Sequence, residues 1–178
     1  MKPFYLTVAA LLVLVSFGAN AEPALQTGSK DLSLFVSPDF AAPTGDTLGL
    51  NIGLGMFIAD NLNLRATLTH DVQEDIAPGG ADYRATDYNL GIEYNFDLGG
   101  SIIPYVGADL GWRRSKFGSI RDDGLIYGPR VGVKYFLADN VAIDTSLSYR
   151  FSGADVYISD FEFESHKILF GVGLRIMF

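Results

Sequence analysis

Eight times along this chain, apolar residues recur at every second position over about ten residues, with small or charged residues between them. A β-strand sends successive side chains to opposite faces, so each segment has one apolar and one polar face. Residues 167–178 show the pattern most plainly. Ile168, Phe170, Val172, Leu174, Ile176 and Phe178 share one parity. Lys167, Gly171, Gly173 and Arg175 share the other, with Leu169 and Met177 as apolar exceptions. No helical periodicity of any length interrupts these segments.

The connections between segments alternate in length. Residues 38–46, 71–84, 115–124 and 152–161 are polar and read as the long loops. Asp60-Asn61, Gly99-Gly100 and Ala138-Asp139-Asn140 read as short turns. Strands of this length with this asymmetry predict an all-β, eight-stranded, antiparallel up-and-down transmembrane β-barrel. Each hairpin is local, and closure leaves no unpaired edge in lipid.

The barrel is preceded by a segment of another kind. Lys2 is a positive start, residues 4–17 are apolar, and Ala19-Asn20-Ala21 is a small-x-small cleavage site. The apolar run falls short of the roughly 18 residues a spanning helix needs. Residues 1–21 are therefore read as a cleavable signal peptide and residues 22–178 as the barrel domain, with Glu22 as first mature residue. The chain has no cysteine, so an exported domain must rely on backbone pairing alone. A formal net charge of −8 is a poor match for nucleic acid, and no nucleic-acid partner is expected.

Alternation does not by itself say which face is outside, because a lipocalin-like soluble barrel would turn its apolar face inward. Three features favour an apolar exterior. The polar face is rich in glycine, including Gly53, Gly91, Gly111, Gly132 and Gly173, which suits a crowded lumen. The aromatics sit at the ends of the apolar face. Tyr88, Trp112, Tyr127, Tyr149 and Phe151 lie near the long loops, and Tyr94, Phe96, Tyr135 and Phe178 near the short turns. Two such belts around an aliphatic band match the two lipid–water interfaces. Finally, charges on the polar face fall where partners are due: Arg65 near Glu93, Asp109 near Arg130, Lys134 near Asp144, with Arg150, Lys167 and Arg175 close by. Buried charges must be paired to be tolerated, so these residues predict a polar plug.

The closing segment with its terminal Phe, residues 104–108 (Pro-Tyr-Val-Gly-Ala) and residues 138–144 (Ala-Asp-Asn-Val-Ala-Ile-Asp) resemble the small outer-membrane barrels, namely the OmpA-type transmembrane domain and the OmpX/Ail group. The resemblance spans the mature chain. It implies a Gram-negative outer-membrane location, recognition of the last strand by the barrel-assembly machinery, and contact with outer-membrane lipids and lipopolysaccharide. Both termini are then expected on the periplasmic side. The chain stops at the last strand, so the resemblance does not extend to a peptidoglycan-binding domain.

Chemistry-bearing residues are sparse. Some eight-stranded outer-membrane barrels modify lipid A with a His, a Ser and an orienting carboxylate. Here only His70 and His166 are available; parity puts both on the lipid-facing side near the long loops, and Ser165 points the other way. No His-x-Ser arrangement occurs at His166, so no catalytic residue is assigned. Asp71, Glu74, Asp75 and Asp82, and Asp155, Asp160, Glu162 and Glu164, are acidic loop clusters without the spacing of a defined cation site; neither a metal ligand nor a cofactor is assigned. Ser115, Lys116, Arg121, Asp122 and Asp123 form a mixed-charge loop suited to phosphates or a protein partner. The expected function is structural or surface-interacting (adhesin or envelope integrity), with loops meeting an extracellular ligand and no catalysis. A lipid A-modifying enzyme is the first alternative, and a narrow pore or small-ligand conduit the second.

Overall fold

The structure, a computed structural model, describes residues 25–39, 47–77, 81–117, 119–153, 157–159 and 162–178. The segment read as a signal peptide, the long connection 40–46 and the tip at 78–80 lie outside the described residues. The strands in chain order are β1 (Lys30–Asp39), β2 (Thr47–Ala59), β3 (Leu62–Ala77), β4 (Ala81–Asn95), β5 (Ile102–Phe117), β6 (Ile120–Ala138), β7 (Val141–Ser152), β8 (Tyr157–Ser159), β9 (Glu162–Glu164) and β10 (His166–Met177). Eight of them close into one antiparallel barrel in the order β1-β10-β7-β6-β5-β4-β3-β2, and β8 and β9 form a separate two-stranded hairpin. Closure is made by the segment with the clearest alternation. β10 pairs with β1 from Asp31↔Met177 to Val36↔Val172, and Lys30 and Phe178 exchange backbone hydrogen bonds of 2.8 and 2.9 Å.

The long connections differ from the loops expected. Residues read as loop at 71–84 and 115–124 continue the ladders: β3 runs to Ala77 before β4 starts at Ala81, and β5 runs to Phe117 before β6 starts at Ile120. Residues 152–161 likewise contain β8 and part of its hairpin. The physical reason is that pairing needs only matched backbone donors and acceptors. Apolar alternation is demanded by lipid, and it stops where the membrane stops. At 19 residues, β6 far exceeds the roughly 9–11 needed to span a bilayer, and its surplus stands clear of the membrane as ribbon. The short turns are as expected: Asn61 adopts φ 65° and Gly99 φ 74°, the left-handed region Asn and Gly tolerate best.

The exposures decide which face is outside. Leu54, Leu90, Leu110 and Ile168 are exposed, as are Tyr88, Trp112 and Tyr127 near one end and Tyr94, Tyr135 and Phe178 near the other. The alternate positions are buried, including Asp31, Asn63, Arg65, Glu93, Lys134, Asp144 and Arg175. An apolar exterior with aromatics at both ends and a polar interior is the arrangement a bilayer selects. Glycine makes room inside. At Gly132 an added Cβ would run into the Thr145 carbonyl oxygen and lie 2.5 Å from the hydroxyl end of Tyr105, so only glycine fits there.

One part of the interior is apolar. Leu25, Phe57, Ile103, Phe136, Ala142 and Met177 are buried together at the short-turn end. Met177 belongs to the polar parity of β10, and its apolar side chain is explained by this floor. Leu25 arrives from the segment before β1, which is tied beneath the barrel by Asn61 N–H to Leu25 O (2.9 Å), Gly28 N–H to Phe57 O (2.8 Å) and the Thr27 hydroxyl to Asp60 (2.7 Å).

Candidate functional site: a charged lumen and a basic outer rim

Above the apolar floor, Glu93 on β4 collects cations from around the wall. Arg65 Nη1 lies 3.0 Å from Glu93 Oε2, Arg130 Nη2 3.5 Å away, and Arg175 Nη1 3.3 Å from Oε1. The Lys134 ammonium donates to Glu93 and to the Asn95 amide oxygen. Asp144 accepts from Arg175 and, at 2.8 Å, from the Tyr105 hydroxyl. Lys134 also sits 4.7 Å from the Tyr105 ring centroid, which adds a cation–π contact.

Two of the expected pairs form as read: Arg65 with Glu93, and Arg130 with Asp109 at 3.5 Å. The third differs. Lys134 and Asp144 are opposite one another in the β6–β7 register, yet Lys134 reaches to Glu93 while Asp144 takes Arg175. Register fixes only the residues directly opposite, whereas a long side chain reaches further: Lys134 passes over β5 to Glu93 on β4, and Asp144 meets Arg175 two residues along the neighbouring β10. β10 and β4 lie on opposite sides of the barrel, so the Arg175–Glu93 contact could not be read from hairpin offsets.

A second cluster lies nearer the long hairpins. Arg113 Nη1 is 2.7 Å from Asp87, and its Nη2 is 2.9 Å from Asp71 and 3.0 Å from the Tyr83 hydroxyl. Arg150 completes it at 2.8 Å from Asp87. Asp71 thus belongs to the lumen network rather than to a solvated acidic loop. The sequence carried a signal for this: Asp71, Asp87 and Arg113 keep the inward parity of their strands. Lys167 lies opposite Arg150, half-buried near the start of β10 and well before Arg175. Between the two clusters is a chamber of about 50 Å³, bordered by Asn51, Thr69, Asp87, Arg130 and Arg150. It is room for a water or two rather than for a solute. Side chains of zero exposure at Glu93, Lys134, Asp144 and Arg175 fill the lumen below it.

The two histidines are not brought together. His70 is exposed and its Nδ1 lies 3.0 Å from the Thr86 hydroxyl. His166 is exposed and stacks on Tyr149 at 6.0 Å. They stand on β3 and β10, which are not neighbours in the barrel. Among the described residues no group of three His, Cys, Asp or Glu gathers as a cation site.

The outer face holds two further features. A groove of about 710 Å³ runs over β2–β5 around Ala66, whose small side chain leaves a notch between Leu54, Leu68, Tyr88 and Leu90. Trp112 and Leu125 border it on the hairpin side. One and two outward-facing rows further along lie Thr86, Arg114 and Asp123, then Arg84, Lys116 and Arg121. These rims enclose a hollow of about 490 Å³.

Comparison with known proteins agrees with this architecture. The family described as "Outer membrane protein beta-barrel domain" matches residues 7–175, a span that starts inside the segment read as a signal peptide. No curated protein matches the chain. Among solved structures, the Neisserial surface protein A (NspA) has a TM-score of 0.60 at 20% identity, covering 84% of this chain and 95% of that one. The N-terminal barrel of Pseudomonas aeruginosa OprF gives 0.56 at 20% identity, covering 85% and 98%. Yersinia pestis Ail, solved with the heparin analogue sucrose octasulfate, gives 0.58 at 15% identity, covering 86% and 100%. Likeness at these identities is likeness of fold. With the family match spanning nearly the whole sequence, the chain belongs to the outer membrane protein β-barrel domain family, as a small eight-stranded member.

Proposed function

We propose that this outer-membrane barrel is a structural and surface-interaction protein, with both termini periplasmic and the long hairpins outside the cell. Residues 1–21 are its signal peptide in this reading, and β10 with its terminal Phe178 is the element offered to the barrel-assembly machinery. Outer-membrane lipids and lipopolysaccharide are its immediate partners, and the hairpins are the surface for any extracellular ligand.

The observation that carries the reading is the contrast between the lumen and the exterior. The lumen is filled by paired charges over an apolar floor, which leaves solute no path. What faces outward is a lipid-matched wall crowned by polar ribbons. The pore alternative is opposed by the zero exposure of Glu93, Lys134 and Arg175. The lipid A enzyme alternative is opposed by the surroundings of the two histidines: His70 meets the Thr86 hydroxyl and His166 the Tyr149 ring, and neither is held by a carboxylate among the described residues.

Three measurements test this. Planar-bilayer recording is expected to show no steady open channel; sustained conductance would overturn the sealed lumen. Mass spectrometry of lipid A from cells with and without the protein is expected to show the same acylation; a difference abolished by His70→Ala or His166→Ala would make it an enzyme. Protease shaving of intact cells is expected to cut in the 115–124 hairpin, and cleavage only after the outer membrane is opened would reverse the orientation.

A further inference from the structure

The basic hollow and the apolar groove are continuous with each other, and neither is used by the lumen. Along β4, β5 and β6 the outward rows succeed one another in register. Leu90↔Leu110 and Tyr88↔Trp112↔Leu125 border the groove. Thr86↔Arg114↔Asp123 and Arg84↔Lys116↔Arg121 form the hollow above it. Rows on one face are spaced by two residues, about 7 Å along a strand. The cations therefore stand about 7 to 14 Å beyond the aromatic row, which is where headgroups meet water. Trp112 joins the two parts: its ring borders the groove, and its Nε1–H donates to Asp123 in the hollow at 3.1 Å.

The charge of this patch opposes that of the molecule. The chain as a whole carries −8, yet the hollow gathers Arg84, Arg114, Lys116 and Arg121 against Asp122 and Asp123. Guanidinium groups present paired donors suited to phosphate oxygens, and they are exposed here. An occupant that satisfies both parts must be anionic at one end and apolar over a length of several methylenes at the other. A purely polar polyanion would leave the groove unused. A second copy related by a two-fold axis would set one basic hollow against another. We propose that the outer face of β4–β6, with the groove around Ala66, is a binding site for a phosphorylated, multiply acylated lipid of the hairpin-side leaflet, in the chemical class of lipid A. The phosphates sit among Arg114, Lys116 and Arg121, and one acyl chain lies in the notch over Ala66. This deepens the surface-interaction reading and rests on its orientation.

The test uses the protein refolded into phosphatidylcholine nanodiscs. Trp112 is the only tryptophan in the chain, so its emission reports the site directly. Titration with hexa-acylated diphosphoryl lipid A is expected to give a saturable emission change, with the lipid retained in native mass spectrometry; added phosphatidylcholine is expected to give neither. Combined Arg114→Gln, Lys116→Gln and Arg121→Gln is expected to weaken binding at least tenfold. Ala66→Phe, which fills the notch, is expected to weaken lipid A severalfold while leaving the deacylated phosphorylated disaccharide unaffected. Lys30→Gln, at the opposite end, is the unchanged control. Equal affinity of wild type and the triple variant, or a lipid A response matched by phosphatidylcholine, would overturn the proposal. So would a sulfated polysaccharide binding as tightly as lipid A, which would make the hollow a polyanion site. Heat-modifiable gel mobility of each variant shows that the barrel has folded. Wild-type protein without that shift would instead defeat the membrane reading beneath the proposal.

Discussion

Arg175 and Lys116 carry the same charge in opposite physical situations. Arg175 is fully buried, held by Glu93 across a narrow lumen and by Asp144 and Asp31 on the two flanking strands. Lys116 is exposed on a ribbon beyond the aromatic row, where water solvates it. Burial makes the first a matter of folding: an unpaired charge there has no solvent to fall back on. Exposure makes the second nearly irrelevant to folding and available for recognition. The difference teaches where to look for function in a barrel of this size. The lumen spends its charged residues on one another, so specificity has to come from the outer rim and the hairpins.

The hardest blow to that contrast is Glu93→Leu. It leaves Arg65 without its carboxylate and takes one partner each from Lys134 and Arg175, and a loss of about 3–5 kcal/mol in urea unfolding from lipid bilayers is expected. A loss below about 1 kcal/mol would mean that the cations find water, and the two regions would not differ as described. Asp87→Asn should cost less, about 1–3 kcal/mol in the same assay, because Asp71 still holds Arg113. Gly132→Ala should cost about 1–3 kcal/mol, since its Cβ would meet the Thr145 carbonyl and the end of Tyr105. On the rim, Arg114→Gln, Lys116→Gln and Arg121→Gln should each change stability by no more than about 0.5 kcal/mol. A larger change would show that the rim belongs to the fold.

The smallest expected effect lies beneath the floor. Hydrogen bonds from the Thr27 backbone and hydroxyl hold the Asp60 carboxyl below its ordinary range. A depressed folded-state value stabilises the ionised form, so this tie is intact above the ordinary carboxylate range and is lost as pH falls through the lowered value. Hydrogen exchange at the Thr27 amide should therefore speed up on strong acidification in wild type, relative to a buried strand amide. Asp60→Asn should remove that pH dependence; its persistence would place the cause elsewhere.

Much of this was legible without coordinates, and the limit has a physical cause. Ile168 to Phe178 states the strand, its lipid face and its role in closure, because lipid accepts only apolar side chains on an outward face. Arg65–Glu93 and Arg130–Asp109 were legible because they link adjacent strands, where a turn fixes the offset. The ribbons of β3–β4 and β5–β6 were not legible as strands, because water imposes no alternation and backbone pairing leaves no mark on polar side chains. Nor was the floor of Phe57, Phe136 and Met177, since apolar residues on the polar face look like exceptions until they are seen together.

The sequence by itself determined the number of barrel strands, the outward face, the two aromatic belts and the need for charge pairing inside, since each follows from the chemistry of lipid and of buried charge acting residue by residue. Only the tertiary structure decided which cation meets which carboxylate, that the exits of the lumen are sealed differently at its two ends, and that a basic hollow stands directly above an apolar groove. Those are properties of distances across the barrel and between rows of three strands, which no periodicity along one strand records.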